Sequence, residues 1–477
     1  MKPTGTITAV NGQIAKVSFS DHRPTRHDIL MVAKDSSILL EVVSSISPRL
    51  FFCFILNPEH QLSRGDKVQN TGAPLMIPVG QEVLGRAFDI FGNAHDSADK
   101  IKSKNYWPLF DHQIQSLAAV ENPTQVLETG IKAIDFFTPV LSGGRTAFIG
   151  GAGVGKTVIL TAIINRLVVQ AHKQKNKVAV YSAVGERSRE AQELREELER
   201  AKALPFTSIV LGQMGENPAL RFRTAYAGAT IAEYFRDKMA TDVLFFMDNM
   251  YRFAQAGHEL ATLMGEIPSE DGYQPTLASE MANLNERLIS TQKASITSFL
   301  AIFVPSDDLT DHGVRSVFPF LDSMIILSRE VYQAGILPAI DLLKSISSAL
   351  NPLTIGDKHY QSYIQSKQIL EKATDLKRIV SLVGEGELSQ DNQKMYLRSR
   401  LITNFMTQDL FTGSMLSDTI GEYIPRQETI DAIYNMVNGK YDDIKPDDLL
   451  YIGSIKNLKK QARSKAAEAI IKSRKEA

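Results

Sequence analysis

The sequence predicts an α/β protein in three parts: a small β-barrel or sandwich over residues 1–76, a domain with a mainly parallel sheet over 77–355, and a helical domain over 356–477. Three observations carry this. Short apolar stretches with period-2 alternation crowd the first part. In the second, nearly continuous apolar runs alternate with longer helical patterns, as in a sheet covered on both faces. In the third, apolar residues recur only at helical spacing.

In the first part, Ala15, Val17 and Phe19 alternate with Lys16 and Ser18. Asn11-Gly12 precedes them and reads as a hairpin turn, since both residues tolerate positive φ. Ile38-Leu39-Leu40-Glu41-Val42-Val43 reads as another strand. Cys53, in Leu50-Phe51-Phe52-Cys53-Phe54-Ile55-Leu56, reads as a small core residue. In the second part, the candidate strands are 146–149, 178–181, 243–247 and 298–304. The charged stretch 187–200 reads, from Glu193 onward, as a solvated helix face laced with i,i+4 pairs. In the third, Tyr360, Ile364, Leu370, Leu376, Ile379 and Val383 mark a helix that ends before Gly384. Residues 456–477 hold eight Lys or Arg against two Glu, and read as a solvated helix.

Composition narrows the function. At roughly 150 residues per domain, 477 residues suggest two to four domains. Lys plus Arg is 53 and Asp plus Glu 54, so the net charge is −1, unlike the basic excess of a nucleic-acid binder. With 43% apolar and 22% charged residues, the chain reads as folded. The single cysteine excludes an intrachain disulfide and a cysteine zinc site. No apolar run approaches the ~18 residues of a membrane helix, and Met1-Lys2-Pro3-Thr4-Gly5-Thr6 has no signal-peptide core. A cytoplasmic protein is expected, meeting a membrane only through partners.

Three segments carry chemistry. Gly150-Gly151-Ala152-Gly153-Val154-Gly155-Lys156-Thr157 fits G-x-x-x-x-G-K-[ST], follows a predicted strand and precedes the helical pattern 158–170. Its glycines let backbone N–H groups converge on phosphates at a helix N-terminus. Lys156 is expected on the β- and γ-phosphates, and the Thr157 hydroxyl on Mg²⁺. The apolar run 243–247 ends in Asp248, a candidate carboxylate for the same ion. Val184-Gly185-Glu186-Arg187-Ser188-Arg189-Glu190 follows another predicted strand, whose C-terminus belongs on the ligand side of a parallel sheet. There a carboxylate orients water and an arginine neutralises phosphate charge, or the two begin a helix with a salt bridge.

These segments resemble the catalytic β subunit of F-type ATP synthases. So do Gly212-Gln213-Met214, residues 232–237, Ile267-Pro268, Gly272-Tyr273-Gln274-Pro275-Thr276-Leu277-Ala278 and Asp307-Asp308-Leu309-Thr310-Asp311. Upstream, Gly72-Ala73-Pro74, Ile77-Pro78-Val79-Gly80 and Leu84-Gly85-Arg86 match as well. The resemblance implies an N-terminal β-barrel, a central RecA-like P-loop domain and a C-terminal helical bundle. It implies a cytoplasmic machine peripheral to the membrane, in which such subunits alternate with α-type subunits around a γ-like shaft. By matching motif, Gly151, Ala152, Gly153, Val154, Gly155, Lys156, Thr157 and Val158 hold the phosphates of ATP or ADP. Glu186 positions water, Arg187 and Arg252 contact the γ-phosphate, and Glu190 and Asp248 act through Mg²⁺-bound waters. Phe405 and Phe411 match adenine-pocket positions, or read as ordinary helix core.

The departures are specific. Leu337, in Gly335-Ile336-Leu337-Pro338-Ala339, stands where the family stacks a tyrosine on adenine. Phe303 replaces another tyrosine, and Ser347-Ser348 replaces a Ser-Arg whose arginine serves the neighbouring subunit. The shaft-contacting loop, Gly386-Glu387-Leu388-Ser389-Gln390-Asp391-Asn392, lacks three of the family's acidic residues. This divergence suits the F-like ATPases of some wall-less bacteria and favours hydrolysis over synthesis. Three alternatives compete. A noncatalytic α-type subunit usually carries glutamine at the position of Glu186. An export-type ATPase shares the P-loop and Gly-Glu-Arg but fits Tyr273-Gln274-Pro275-Thr276 less well. A Rho-like RNA motor conflicts with the neutral charge.

Overall fold

The computed structural model describes residues 3–20, 22–57, 62–96, 99–110, 117–172, 177–269, 271–410 and 422–458. Phe411 and the basic tail beyond residue 458 lie outside them. The chain forms two compact units, one of residues 1–122, 143–145 and 167–321, the other of 123–142, 146–166 and 322–477.

In the first unit, β1 (Thr4–Asn11), β2 (Ile14–Phe19), β3 (Ile29–Val32), β4 (Asp35–Ser47), β5 (Leu50–Ile55) and β6 (Lys67–Asn70) close an antiparallel barrel in the order β1-β2-β5-β4-β3-β6. The alternation builds it: Ala15, Val17 and Phe19 are buried while Lys16 is exposed. Cys53 sits in this core, where burial pushes its thiol far up, the inert role expected of it. The hairpin turn falls one residue later than the sequence suggests. Asn11 pairs with Ile14 in the ladder, which leaves Gly12-Gln13 as the turn, with φ of 54° at Gly12. Freed from the turn, the Asn11 amide donates to the Leu263 carbonyl at 3.4 Å.

Downstream, β7 (Met76–Val79) pairs antiparallel with β9 (Asn105–Pro108). β8 (Ala87–Phe88), β14 (Thr207–Gln213), β13 (Lys177–Glu186), β15 (Asp242–Asp248) and β16 (Ile296–Phe303) follow one another in parallel. Their residues are almost all buried, as near-continuous apolar strands require. α4 (Pro218–Asp237) packs on β13, β14 and β15, and α5 (Met250–Met264) on β13 and β16. Asn217 starts α4 by accepting the Leu220 N–H, with Pro218 at the first helical position. α3 (Ser188–Arg200) carries the expected exposed pairs, Arg189–Glu193 at 2.8 Å and Arg200–Glu196 at 3.6 Å. α6 (Leu277–Asn285) and α7 (His312–Arg315) are shorter. The barrel is locked to α4 by a buried ion pair: Arg223 Nε and Nη2 donate to the Glu41 carboxylate at 2.7 and 2.9 Å. The His27 ring shares the same carboxylate at 2.7 Å.

In the second unit, β10 (Val126–Leu127) pairs antiparallel with β11 (Val140–Leu141), and β12 (Arg145–Gly150) runs parallel to β17 (Ser323–Ile326). β18 (Ile346–Ser347) adds antiparallel to β17. α1 (Lys132–Phe137), α2 (Lys156–His172), α8 (Arg329–Gln333) and α9 (Pro352–Ile355) precede three helices that pack on one another: α10 (Asp357–Val383), α11 (Gln390–Phe405) and α12 (Arg426–Val437). From residue 348 onward, the described residues contain no strand, as expected. Gly384, with φ of 91°, ends α10 at the foreseen point. The apolar stripe of α10 leaves the core in its last turns, where Ile379, Leu382 and Val383 are 45%, 80% and 58% exposed.

Candidate active site

The second unit holds the glycine-rich loop. β12 is buried up to Gly150, α2 begins at Lys156, and the loop joins them. Gly153 and Gly155 take φ of 73° and 92°, which side-chain-bearing residues rarely adopt. A Cβ at either would meet nothing within 4 Å, so the backbone conformation, not crowding, requires glycine. Val154 is buried and anchors the loop from inside. The Lys156 ammonium donates to the carbonyls of Gly150, at 2.8 Å, and Gly151. Ala152, Gly153, Thr157 and Val158 are exposed along the loop and the first turn of α2. That turn's backbone N–H groups have no intrahelical acceptors, which makes it an anion site. The loop is braced from α8, where Arg329 Nη2 donates to the Ala152 carbonyl at 3.2 Å.

Beyond α8, Leu337 is 38% exposed, and its carbonyl accepts the Gln408 N–H at 2.8 Å. Phe405 takes the helix-core alternative: it is fully buried, with the Lys132 ammonium 4.3 Å above its ring. Phe411 lies outside the described residues.

The first unit gathers the carboxylates. The ladder between β13 and β14 shifts register between Val184 and Glu186, a bulge centred on Gly185 with φ of 68°. Such a bulge re-aims the next side chain. Gly185 also lets Arg252 of α5 pass close, since a Cβ there would lie 3.1 Å from the Arg252 Cδ. Asp248 ends β15, directly beside Ala183 of β13, and accepts a hydrogen bond from the Tyr181 hydroxyl at 3.4 Å. Glu186 and Asp248 are 8% and 5% exposed. Burial first, then a hydrogen bond to the Glu190 carboxyl and the charge of Asp248, push Glu186 far above the usual carboxylate range, and Arg252 opposes them. Arg187 immediately precedes α3 and pairs with Glu190 at 3.8 Å, with both side chains substantially exposed. The salt bridge read as one alternative is therefore formed, and a pair so exposed contributes little stability. Phe303 donates its backbone N–H to Asn249 Oδ1 at 3.3 Å and sets its ring edge-on to Tyr251.

Residues 130–347 match the model of the ATP synthase alpha/beta family, nucleotide-binding domain. The chain carries an ATP synthase alpha/beta nucleotide-binding domain. ATP or ADP is therefore the ligand class of the loop at 150–157. Residues 351–423 match a second model, the C-terminal domain of V and A type ATP synthase. The barrel, the mainly parallel strands and the C-terminal helices agree with that family's architecture. No helix among the described residues is long and apolar enough to cross a membrane. Sequence reasoning missed Arg329 and Lys132 in the second unit and Tyr181 in the first. Each acts through a contact that no motif spacing announces.

Proposed function

We propose that this chain is the catalytic, β-type subunit of an F-type-like rotary ATPase, hydrolysing Mg-ATP with an α-type partner and driving a γ-like shaft. The observation that carries it is the Glu186 carboxyl, buried at a strand end where the charge of Arg252 acts on it. By the resemblance, α-type chains have glutamine there, which cannot act as a base. Lys156 and the N–H groups around residues 151–158 bind the triphosphate. Glu186, ionised where the positive charge of Arg252 and of a bound cation offsets its burial, accepts a hydrogen bond from water and orients it on the γ-phosphorus. The new P–O bond forms as the bond to the bridging oxygen breaks. Lys156, Arg252 and Arg187 take up the charge on the transferred phosphoryl group.

The donor set suits a hard divalent cation. The Thr157 hydroxyl is exposed at a helix start, and Glu190 and Asp248 offer only oxygen, in a cluster whose mutual repulsion a cation relieves. When bound, Mg²⁺ neutralises charge developing on the phosphate oxygens. Exposed Leu382 and Val383, beside the turn Glu385–Glu387, support a shaft-like partner at that end of α10.

The match of residues 351–423 to a V and A type C-terminal domain favours a second reading, a catalytic subunit of a V/A-type machine with the same chemistry. Lys156→Ala in the assembled complex tests both. ATP turnover is expected to vanish while the fold persists, and normal turnover refutes the site. Identifying the co-purifying subunits separates the F-like from the V/A-like assembly.

A further inference from the structure

We propose that Tyr451 forms the aromatic wall against which the base of the bound nucleotide packs; this rests on the nucleotide reading above. Three observations within the second unit carry it. First, Tyr451 is held at two points. Its hydroxyl donates to the Gly335 carbonyl at 2.6 Å, and its own backbone N–H donates to the Thr407 hydroxyl at 2.7 Å. Second, it takes a φ of 51°, a left-handed conformation that a bulky aromatic avoids unless its surroundings impose it. Third, Tyr451 is still 43% exposed despite these tethers, and Leu337, two residues beyond Gly335, is 38% exposed. A tyrosine serving only as a strut is best served by burying its ring. Here one half-exposed apolar group lies on the segment that follows α8, and the other is tethered to that segment. That helix reaches the phosphate loop through Arg329 and the Ala152 carbonyl. Phe405 is fully buried and presents no face to a ligand. Tyr451 thus supplies the π-surface that the leucine at 337 lacks, and every purine or pyrimidine has a face to place on it.

The test compares Mg-ATP with inorganic tripolyphosphate, which has no base, on the full chain. Tyr451→Ala is expected to weaken ATP binding roughly 10–100-fold, the span of base–aromatic stacking, and to leave tripolyphosphate binding unchanged. Tyr451→Phe keeps the ring but loses its tether, and is expected to fall between. ATP affinity within twofold of the parent in the alanine variant overturns the proposal. So does equal weakening of both ligands, which makes Tyr451 a strut for the loop. Lys156→Ala is the control for the underlying reading: if it weakens neither ligand, the phosphate site is wrong, whatever Tyr451 does. Should the alanine variant fail to fold, Tyr451→Trp serves instead. Its added emission over the native Trp107 should be quenched by Mg-ATP and not by tripolyphosphate, and absence of quenching by ATP overturns the proposal.

Discussion

Lys132→Met removes an amine that folding takes wholly out of water. Lys132 is 0% exposed, its Nζ donates to the Gly453 carbonyl at 3.0 Å, and it lies 4.3 Å over the Phe405 ring. Burial lowers its pKa from the ordinary 10.5 to about 7, against the pull of Glu422 and Glu428. For a base depressed in this way, the cost to stability is complete below the folded pKa. It fades as pH rises towards the unfolded one. At pH 7 the gap is about 3.5 units, which at about 1.36 kcal/mol per unit and half-titration costs about 4 kcal/mol. At pH 9 about 1.5 units remain, and the cost is about 2 kcal/mol. Methionine removes that cost along with the Gly453 bond and the ring contact, a loss of about 1–3 kcal/mol at any pH. The variant is therefore expected to be about 2 kcal/mol more stable than the parent at pH 7 and level with it near pH 9. Urea midpoints of the full chain, followed by far-UV circular dichroism at both pH values, read this directly. Nucleotide affinity should not move, because methionine still covers Phe405. A variant less stable at pH 7, by the same margin at pH 9, refutes the reasoning. The amine would then be charged and solvated in the folded protein.

The remaining predictions concern the site and its support. Glu186→Gln should keep Mg-ATP binding and lose about 10²–10⁴ in kcat; an equal loss of affinity at unchanged kcat assigns Glu186 to binding. Arg223→Leu leaves the Glu41 carboxylate, 1% exposed, with only the His27 ring. That should cost about 3–5 kcal/mol, seen as a lower melting temperature. The chain alone should hydrolyse ATP slowly, because residue 348 is a serine whose backbone N–H bonds the Asp322 carbonyl, with no guanidinium to offer a neighbouring copy. An α-type partner should raise the rate by about 10³–10⁵ in a steady-state assay, and full activity without one contradicts this reading.

The fold was legible where burial is periodic or continuous. The strands foreseen at 146–149, 178–181, 243–247 and 298–304 appear as β12, β13, β15 and β16, each one to five residues longer at one or both ends. β14 escaped notice because Thr207, Ser208 and Gly212 dilute its apolar run, although all three are buried. The two-residue β8 and β18 owe their strand state to a neighbouring ladder and have no pattern of their own. The turn at Gly12 slipped by one residue because ladder pairing of Asn11 outweighed its turn preference.

The site divides along the same physical line. A phosphate loop is a local object: its glycines, lysine and helix start lie within eight residues, so sequence spacing suffices to show it. Glu186 and Asp248 were legible for a related reason, since each closes an apolar strand and strand ends line the ligand side of a parallel sheet. What sequence could not show is long-range. The Arg329 bond to Ala152 spans 177 positions, that of Lys132 to Gly453 spans 321, and that of Tyr451 to Gly335 spans 116. None is a residue type that demands such a partner, and each contact exists only once the chain has closed. The missing stacking tyrosine at 337 shows the consequence. Read along the chain, it is a loss. Read in the fold, another tyrosine more than a hundred residues away is tethered to the same backbone segment, so the deficit at one position is compensated at a place no local motif could reveal.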